Sequence, residues 1–512
     1  MGVLWMTEAI PLPVTALLPV FVYPAAGILP AHEVASYYLT DSNFVFFGSL
    51  IMAVAIENSH LHERIALRIL LLTGSNPRWL MLGFQLATCV LSMWMSNTAT
   101  TAMMVPIAMA VIHELHEFQS EAKMTSSAST GSVIKVEDNP KSFNSEDRLS
   151  FKELDIASIP KKELDVYKGI LLSICYAATI GGTGTLIGTG PNIVLSGELD
   201  KFYGGKTEIT FASWILFATP QMLVCLLICW LWLQYLFIGK RQHTKSDDRI
   251  KVMLRKKYDH LGSMRFDERV VFLFFLLLVA LWLFREPKII PGWNHLFDEG
   301  FVTDGTTVMF VAFLLFVFPA ENPFAPSGSG RCKTLMNWDL MQKKFSWSTV
   351  MLLGGGFAMA AGVRESGLSD LIGHQMASLT ILPTWAFLAL SVTIITFITE
   401  FSSNVATASI FIPLIAGVAE QTHINPLYYI LPVTISCSFA FMLPAGTPPN
   451  AIVFSAKILH VMDMVKAGFF MNTISIVITI VCTHTWAYWL FNLGSFPDWA
   501  ISPTFNGSVN AS

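Results

Sequence analysis

The sequence predicts an all-α polytopic membrane protein made of two related halves, and three observations predict it. Of its 512 residues, 53% are hydrophobic and only 13% charged, where soluble domains carry about 25% charged residues. The apolar residues fall into long segments of the length that crosses a bilayer. The second half repeats the first at a constant spacing. A net charge of −4 is small and says little about partners, none of which is expected to be nucleic acid, while 14 Trp and 38 Phe suit lipid-facing and interfacial surface.

Taken in order, the apolar segments are 11–28, 43–57, 80–113, 167–197, 211–238, 270–285, 303–319, 347–363, 384–418, 427–456 and 467–493. The chain opens at Met1 inside the first apolar stretch with no basic leader, so no cleavable signal peptide is expected. Two segments carry a polar cluster at mid-length: Ser96-Asn97-Thr98 in 80–113, and Ser402-Ser403-Asn404 in 384–418. Each half-segment is about 16 residues, roughly 24 Å of helix, which is short for a hydrocarbon core of about 30 Å. Each is therefore expected to be a re-entrant hairpin, a shape tolerated where protein or a cavity covers its tip.

Polar segments set the orientation. Residues 239–269 hold ten Lys/Arg against five Asp/Glu and are expected in the cytoplasm. The Ser-rich loop 115–165 and the basic stretch 321–346 are expected on the same side. Threading outward from there puts the tail 495–512 outside, where the sequons at Asn506 and Asn510 would be glycosylated. Arg364, Glu365 and Glu57 fall at span ends and are expected at the interface. Of seven cysteines, only Cys332 lies in a polar segment, so no disulfide framework is expected. Cys225 and Cys229, one helical turn apart, are expected to pack rather than bind metal.

The repeat runs at an offset of 307 residues. Gly48 matches Gly355, Met52 matches Met359 and Ser59 matches Ser366. The polar tips then align without a gap: SNTATTAMMVPI from Ser96 with SNVATASIFIPL from Ser403, pairing Asn97 with Asn404 and Ser92 with Thr399. A second pair follows at an offset of 258: GTGPN (Gly188–Asn192) and GTPPN (Gly446–Asn450). Gly and Pro inside apolar segments should unwind both helices. Threading makes 43–57 run inward and 347–363 outward, so the repeats are expected to be inverted. This gives a first repeat at 1–238, a linker at 239–269, and a second repeat at 270–494. Matching interruptions in two inverted halves mark a transporter's binding site.

The residues at these interruptions suggest the chemistry. A helix that starts at a tip aims free N–H groups and about half a positive charge at it. No Lys or Arg lies in any of the four motifs, so a bound anion would need co-bound cations. Hard cations take oxygen ligands. Ser92, Ser96, Asn97 and the freed carbonyls near Gly188 can supply one set. Thr399, Ser402, Asn404 and the carbonyls near Gly446 can supply its partner. Alone, such hydroxyls are more often bonded back to their own helix; their duplication argues for a site. Glu400, ionisable within a hairpin, invites a functional role. Its repeat mate Met93 is apolar, which favours a bracing role instead.

The segments WMTEAIPLPVTALLPV, the two SNT-type tips, TGTLIGTGPN and FMLPAGTPPNAIVF resemble the divalent anion–sodium symporters. These are sodium-coupled dicarboxylate, citrate and sulfate carriers, and the SNV tip is most similar to their animal citrate and dicarboxylate (INDY-like) branch. The resemblance covers the whole chain. It implies a plasma-membrane homodimer with a scaffold and a mobile, elevator-like transport part. It implies sodium at the two oxygen sets just named, and anion contacts from Ser96, Asn97, Thr98, Thr189, Gly190, Ser403, Asn404, Val405, Thr447 and Pro448. The implied cargo is citrate and the C4-dicarboxylates succinate, malate and fumarate, with sodium as coupling ion and no other cofactor. A sodium-independent exchanger and a sulfate carrier of the same fold remain the alternatives. Family members carry further helical segments before WMTEAIP, so this chain is expected to be short at that end.

Other classes lack their signatures. There is no H-E-x-x-H, G-x-S-x-G or Walker loop, so no enzyme is expected. Nothing resembles a selectivity filter or a ring of charges.

Overall fold

The computed structural model describes residues 1–500 except 8, 75, 129–158, 240–246, 288–290, 299, 323–332, 369–370 and 372–381. The sequons at Asn506 and Asn510, the basic residue Arg331 and Cys332 therefore lie outside the described residues. Among the described residues the regular structure is helical, apart from one isolated bridge between Pro319 and Thr334. Six helices are long and apolar enough to span a membrane, and a seventh if Trp338–Lys344 and Trp347–Glu365, bent by 66°, count as one span.

The breaks fall at Gly, Pro and short polar residues. Segment 80–113 divides into Pro77–Ser92 and a helix that starts at Asn97; segment 384–418 divides into Thr384–Ile398 and Asn404–Gln421. Both starting residues are the asparagines matched at offset 307. The first members of the two pairs, Pro77 and Thr384, are also 307 apart, as are the ends of the Asp41–Asn58 and Trp347–Glu365 helices. The apolar run 167–197 is broken between Lys161–Gly182 and Gly190–Tyr203, and 427–456 between Pro426–Ser436 and Pro448–Ser455. Pro191, Pro448 and Pro449 sit in the first turn of their helices. There a missing N–H costs nothing and a fixed φ favours starting the helix.

Burial separates centre from rim. Lys161–Gly182 is 89% buried over its apolar window, whereas Phe211–Ile238 is only 44% buried. The exposed side of the latter shows Leu216, Leu223, Leu227 and Leu231, an apolar stripe fit for lipid. At the centre, small residues allow close contact: a Cβ on Gly181 would meet the Cys89 backbone, and one on Gly197 the Phe357 ring. Cys225 and Cys229 are buried, with the Gln85 amide donating to Cys229 Sγ at 3.2 Å.

The basic linker forms a helix, Asp247–His260, with Ile250 and Leu254 buried one turn apart. It is pinned to the bundle by Arg64, whose Nε donates to Glu268 Oε2 at 2.7 Å and whose other nitrogens reach the Leu261 and Gly262 carbonyls. Arg265 donates to the Ser59 carbonyl at 3.2 Å. The linker thus lies at the C-terminal end of the Asp41–Asn58 helix. A second ion pair, buried Lys168 with the partly exposed Asp463 at 2.7 Å, ties Lys161–Gly182 to Val461–Cys482.

Candidate substrate and cation site

The four interruptions meet. A single cavity of about 870 Å³ is lined by Ser96, Asn97 and Thr98 of the first tip and by Ser402, Ser403, Asn404 and Val405 of the second. Gly188, Thr189 and Gly190 of the first broken helix, and Gly446, Thr447 and Pro448 of the second, complete its polar wall. Of the residues expected to hold cation or anion, Ser92 and Thr399 alone do not line it: both are fully buried one layer behind the tips. Four helices begin at this cavity, at Asn97, Gly190, Asn404 and Pro448. Ser96 caps its own helix by accepting from Ala99 N at 3.2 Å. Ser403 and Thr189 make no such side-chain cap, so the helix starts at Asn404 and Gly190 keep N–H groups free for an anion, whereas Pro191, Pro448 and Pro449 offer none.

Behind each tip sits the same oxygen arrangement. Ser92 Oγ is 2.6 Å from Asn97 Oδ1 and 2.7 Å from the Ala178 carbonyl. Thr399 Oγ1 is 2.8 Å from Asn404 Oδ1 and 2.7 Å from the Cys437 carbonyl. A hydroxyl has one proton, so in each trio one proton serves two acceptor oxygens. A monovalent cation is the natural companion of such a set. The glycines bring more carbonyls in: a Cβ on Gly182 would stand 2.5 Å from Asn97 Oδ1 and 3.1 Å from the Gly188 carbonyl. At the second tip, Ser402 Oγ and Thr447 Oγ1 are buried without a partner, although buried hydroxyls nearly always have one. Their donor chemistry fits a hard cation as well.

Other side chains hold the unwound stretches, and sequence reasoning left two of them out of the site. Asn192 Nδ2 donates to the Thr185 carbonyl at 2.7 Å, and Asn450 Nδ2 to the Ala440 and Leu443 carbonyls at 3.0 and 2.9 Å. Both asparagines close the GTGPN and GTPPN motifs, so the shared Asn was the available signal. Glu400 takes the bracing role. Its Oε1 accepts from Phe441 N, Met442 N and Asn472 Nδ2 at 2.8, 2.9 and 2.7 Å, and its Oε2 from Leu443 N at 3.1 Å. This carboxylate satisfies three backbone donors of the second unwound stretch. Nothing in the sequence marks Asn472 as its partner. The two halves also touch directly, since a Cβ on Gly190 would meet Val405 Cγ2.

The family model described as the sodium:sulfate symporter transmembrane region matches residues 1–493. The Na(+)/dicarboxylate cotransporter 3 of Rattus norvegicus is 41% identical, the alignment covering 98% of this chain and 88% of that protein. The Na(+)/citrate cotransporter of Mus musculus is 40% identical over 99% of this chain and 92% of its own. The sodium-dependent high-affinity dicarboxylate transporter 3 of Caenorhabditis elegans is 41% identical over 98% and 84%.

Proposed function

Because the chain belongs to the sodium:sulfate symporter family, a family of multi-pass membrane transporters, we propose that it carries citrate and C4-dicarboxylates such as succinate, coupled to sodium. The observation that carries this reading is the pair of proton-poor oxygen trios at Ser92/Asn97/Ala178 and Thr399/Asn404/Cys437, set directly behind a cavity at which four helices begin. Sodium at the two trios supplies the positive charge that the tips lack. Carboxylates are met by the free N–H groups of the helix starts and by the amides of Asn97 and Asn404. Thr98, Ser403, Thr189 and Thr447 add hydroxyls, and Val405 with Pro448 supplies an apolar wall. A cavity of about 870 Å³ holds a citrate with water to spare.

The matched breaks support an inverted repeat with alternating access. So does the meeting of Glu57, in the last turn of Asp41–Asn58, with Lys344, just ahead of Trp347–Glu365: repeat mates run in opposite directions. The basic linker supports a cytoplasmic position for this end and an external C-terminus. An elevator-like motion, a homodimer and residence in the plasma membrane complete this reading, and the family resemblance supports them.

The test is uptake of labelled citrate and succinate by proteoliposomes, with an inward sodium gradient or with choline in its place. Saturable uptake that needs sodium is the expected result. Uptake indifferent to sodium would make the chain an exchanger, and uptake of sulfate alone would change the cargo.

A further inference from the structure

The cavity has two charged lining residues among those described, and they are bonded to each other. Lys344 Nζ lies 2.6 Å from Glu57 Oε1, with side chains 36% and 38% exposed. Neither lies in a tip or an unwound stretch. Glu57 ends a stripe on the Asp41–Asn58 helix: Phe46, Leu50, Ala53 and Glu57 all line the cavity, a spacing of three or four residues that keeps them on one face. From Phe46 to Glu57 the stripe is about 16 Å long, so the ion pair stands at one end of an otherwise uncharged wall. Lys344 sits at the 66° bend before Trp347–Glu365, beside the cavity hydroxyls of Ser346, Ser348 and Thr349. Arg265 bonds the Ser59 carbonyl, which puts the basic linker at this same end.

We propose that Lys344 is the anion-capturing residue of the cavity's linker-side mouth, and that Glu57 is its resident counter-ion, displaced by an arriving di- or tricarboxylate. The proposal deepens the carboxylate-transport reading and rests on it. A dianion passing this mouth meets one positive charge, and that charge is already neutralised by a carboxylate of the kind the substrate itself carries. The exchange of one carboxylate for another conserves the ion pair. Being half-exposed, the Lys344–Glu57 pair is weakly held and can be surrendered. Beyond it the route is uncharged until the helix starts and their sodium ions. Lys344 thus raises the local anion concentration at the entrance, while Glu57 keeps a bound anion from lodging there.

A pair that merely braces the Asp41–Asn58 and Trp347–Glu365 helices predicts something different. Neutralising either partner of a brace should then shift transport in the same direction. A capture site predicts opposite directions. Full-length Lys344→Gln and Glu57→Gln proteins would be reconstituted, and succinate KM measured on the linker side by efflux from preloaded vesicles. Lys344→Gln is expected to raise that KM about three- to ten-fold and to flatten its dependence on ionic strength, in the range of electrostatic steering. Glu57→Gln is expected to lower it, and Lys344→Arg to restore it. KM shifts of the same sign in both neutral variants, or no shift in either, would overturn the proposal. A wild-type chain that carries no dicarboxylate, citrate or sulfate would instead overturn the reading beneath it, and the proposal with it.

Discussion

Gly182 and Asn97 show how little slack the first oxygen set has. A Cβ on Gly182 would stand 2.5 Å from Asn97 Oδ1, so Gly182→Ala must push the amide off its trio. We expect that variant to insert and to bind anion, but with a much higher half-saturating sodium concentration. A sodium titration of succinate uptake checks it, and an unchanged titration would remove this trio as a cation site. Asn97→Ala and Asn404→Ala each leave buried partners unpaired, at about 1–3 kcal/mol, and are expected to abolish uptake while surface expression persists. Near-normal uptake by either would sink the two-tip reading. Val405→Thr is the milder change. The branch of Val405 packs on Gly190, and threonine keeps that shape while adding a donor worth about 1 kcal/mol. It should raise the succinate-to-citrate uptake ratio by about five-fold, measured by competition at fixed pH; an unchanged ratio would place selectivity elsewhere. At this scale the sequence was informative wherever a residue was duplicated. Asn97 and Asn404, Ser92 and Thr399 could be read because each had a mate at a fixed offset. Gly182 and Asn472 could not, because their roles depend on what another segment brings next to them.

The elements were legible to the extent that breaks have chemistry. Gly and Pro in GTGPN and GTPPN start a helix in each half, and both interruptions end where those residues stand. The hidden part was what keeps an unwound stretch from collapsing. In the second half it is Glu400, 1% exposed, whose carboxylate collects three backbone N–H groups and the Asn472 amide. The first half has Met93 at the matching place, with no carboxylate to collect N–H groups; there the Thr185 hydroxyl donates to the Met93 main-chain carbonyl. The two halves thus fasten matching stretches through unlike contacts, which the repeat alone does not reveal. Glu400→Gln keeps the shape but removes one acceptor oxygen and the charge. Charge-assisted bonds of this kind are worth about 1.5–3 kcal/mol each, so the variant should melt several degrees lower in detergent, with sodium affinity little changed. An unchanged melting point with weakened sodium affinity would show that the carboxylate is a cation ligand and not a brace.

For the whole molecule, the question is which parts move against which. The sites fall on the two tip pairs and the two broken helices, one of which includes Lys161–Gly182, the most buried of the candidate spans. The Asp41–Asn58, Asp304–Val317 and Trp347–Glu365 helices flank them. If the cavity is carried through the membrane in an elevator-like stroke, contacts between the two groups must slide. Ser42 and Asp200 mark one such contact. Ser42, near the start of Asp41–Asn58, donates to Asp200 Oδ2 at 3.1 Å, and Asp200 lies in the helix that begins at the cavity with Gly190. The described cysteines are all buried, so a cysteine pair introduced at these two positions is the natural target of a mild oxidant. Cross-linking it should trap the arrangement seen here, in which Lys344 and Glu57 line the cavity bonded to each other. Citrate and succinate uptake should fall to background on oxidation and return on reduction, while each single-cysteine variant transports in both conditions. The sliding requirement carries this prediction: a bond of about 2 Å between sulfurs cannot follow a displacement on the scale of a membrane-crossing stroke. Full uptake by the cross-linked protein would mean that Asp41–Asn58 and Gly190–Tyr203 travel together. The fixed and moving parts would then have to be divided elsewhere.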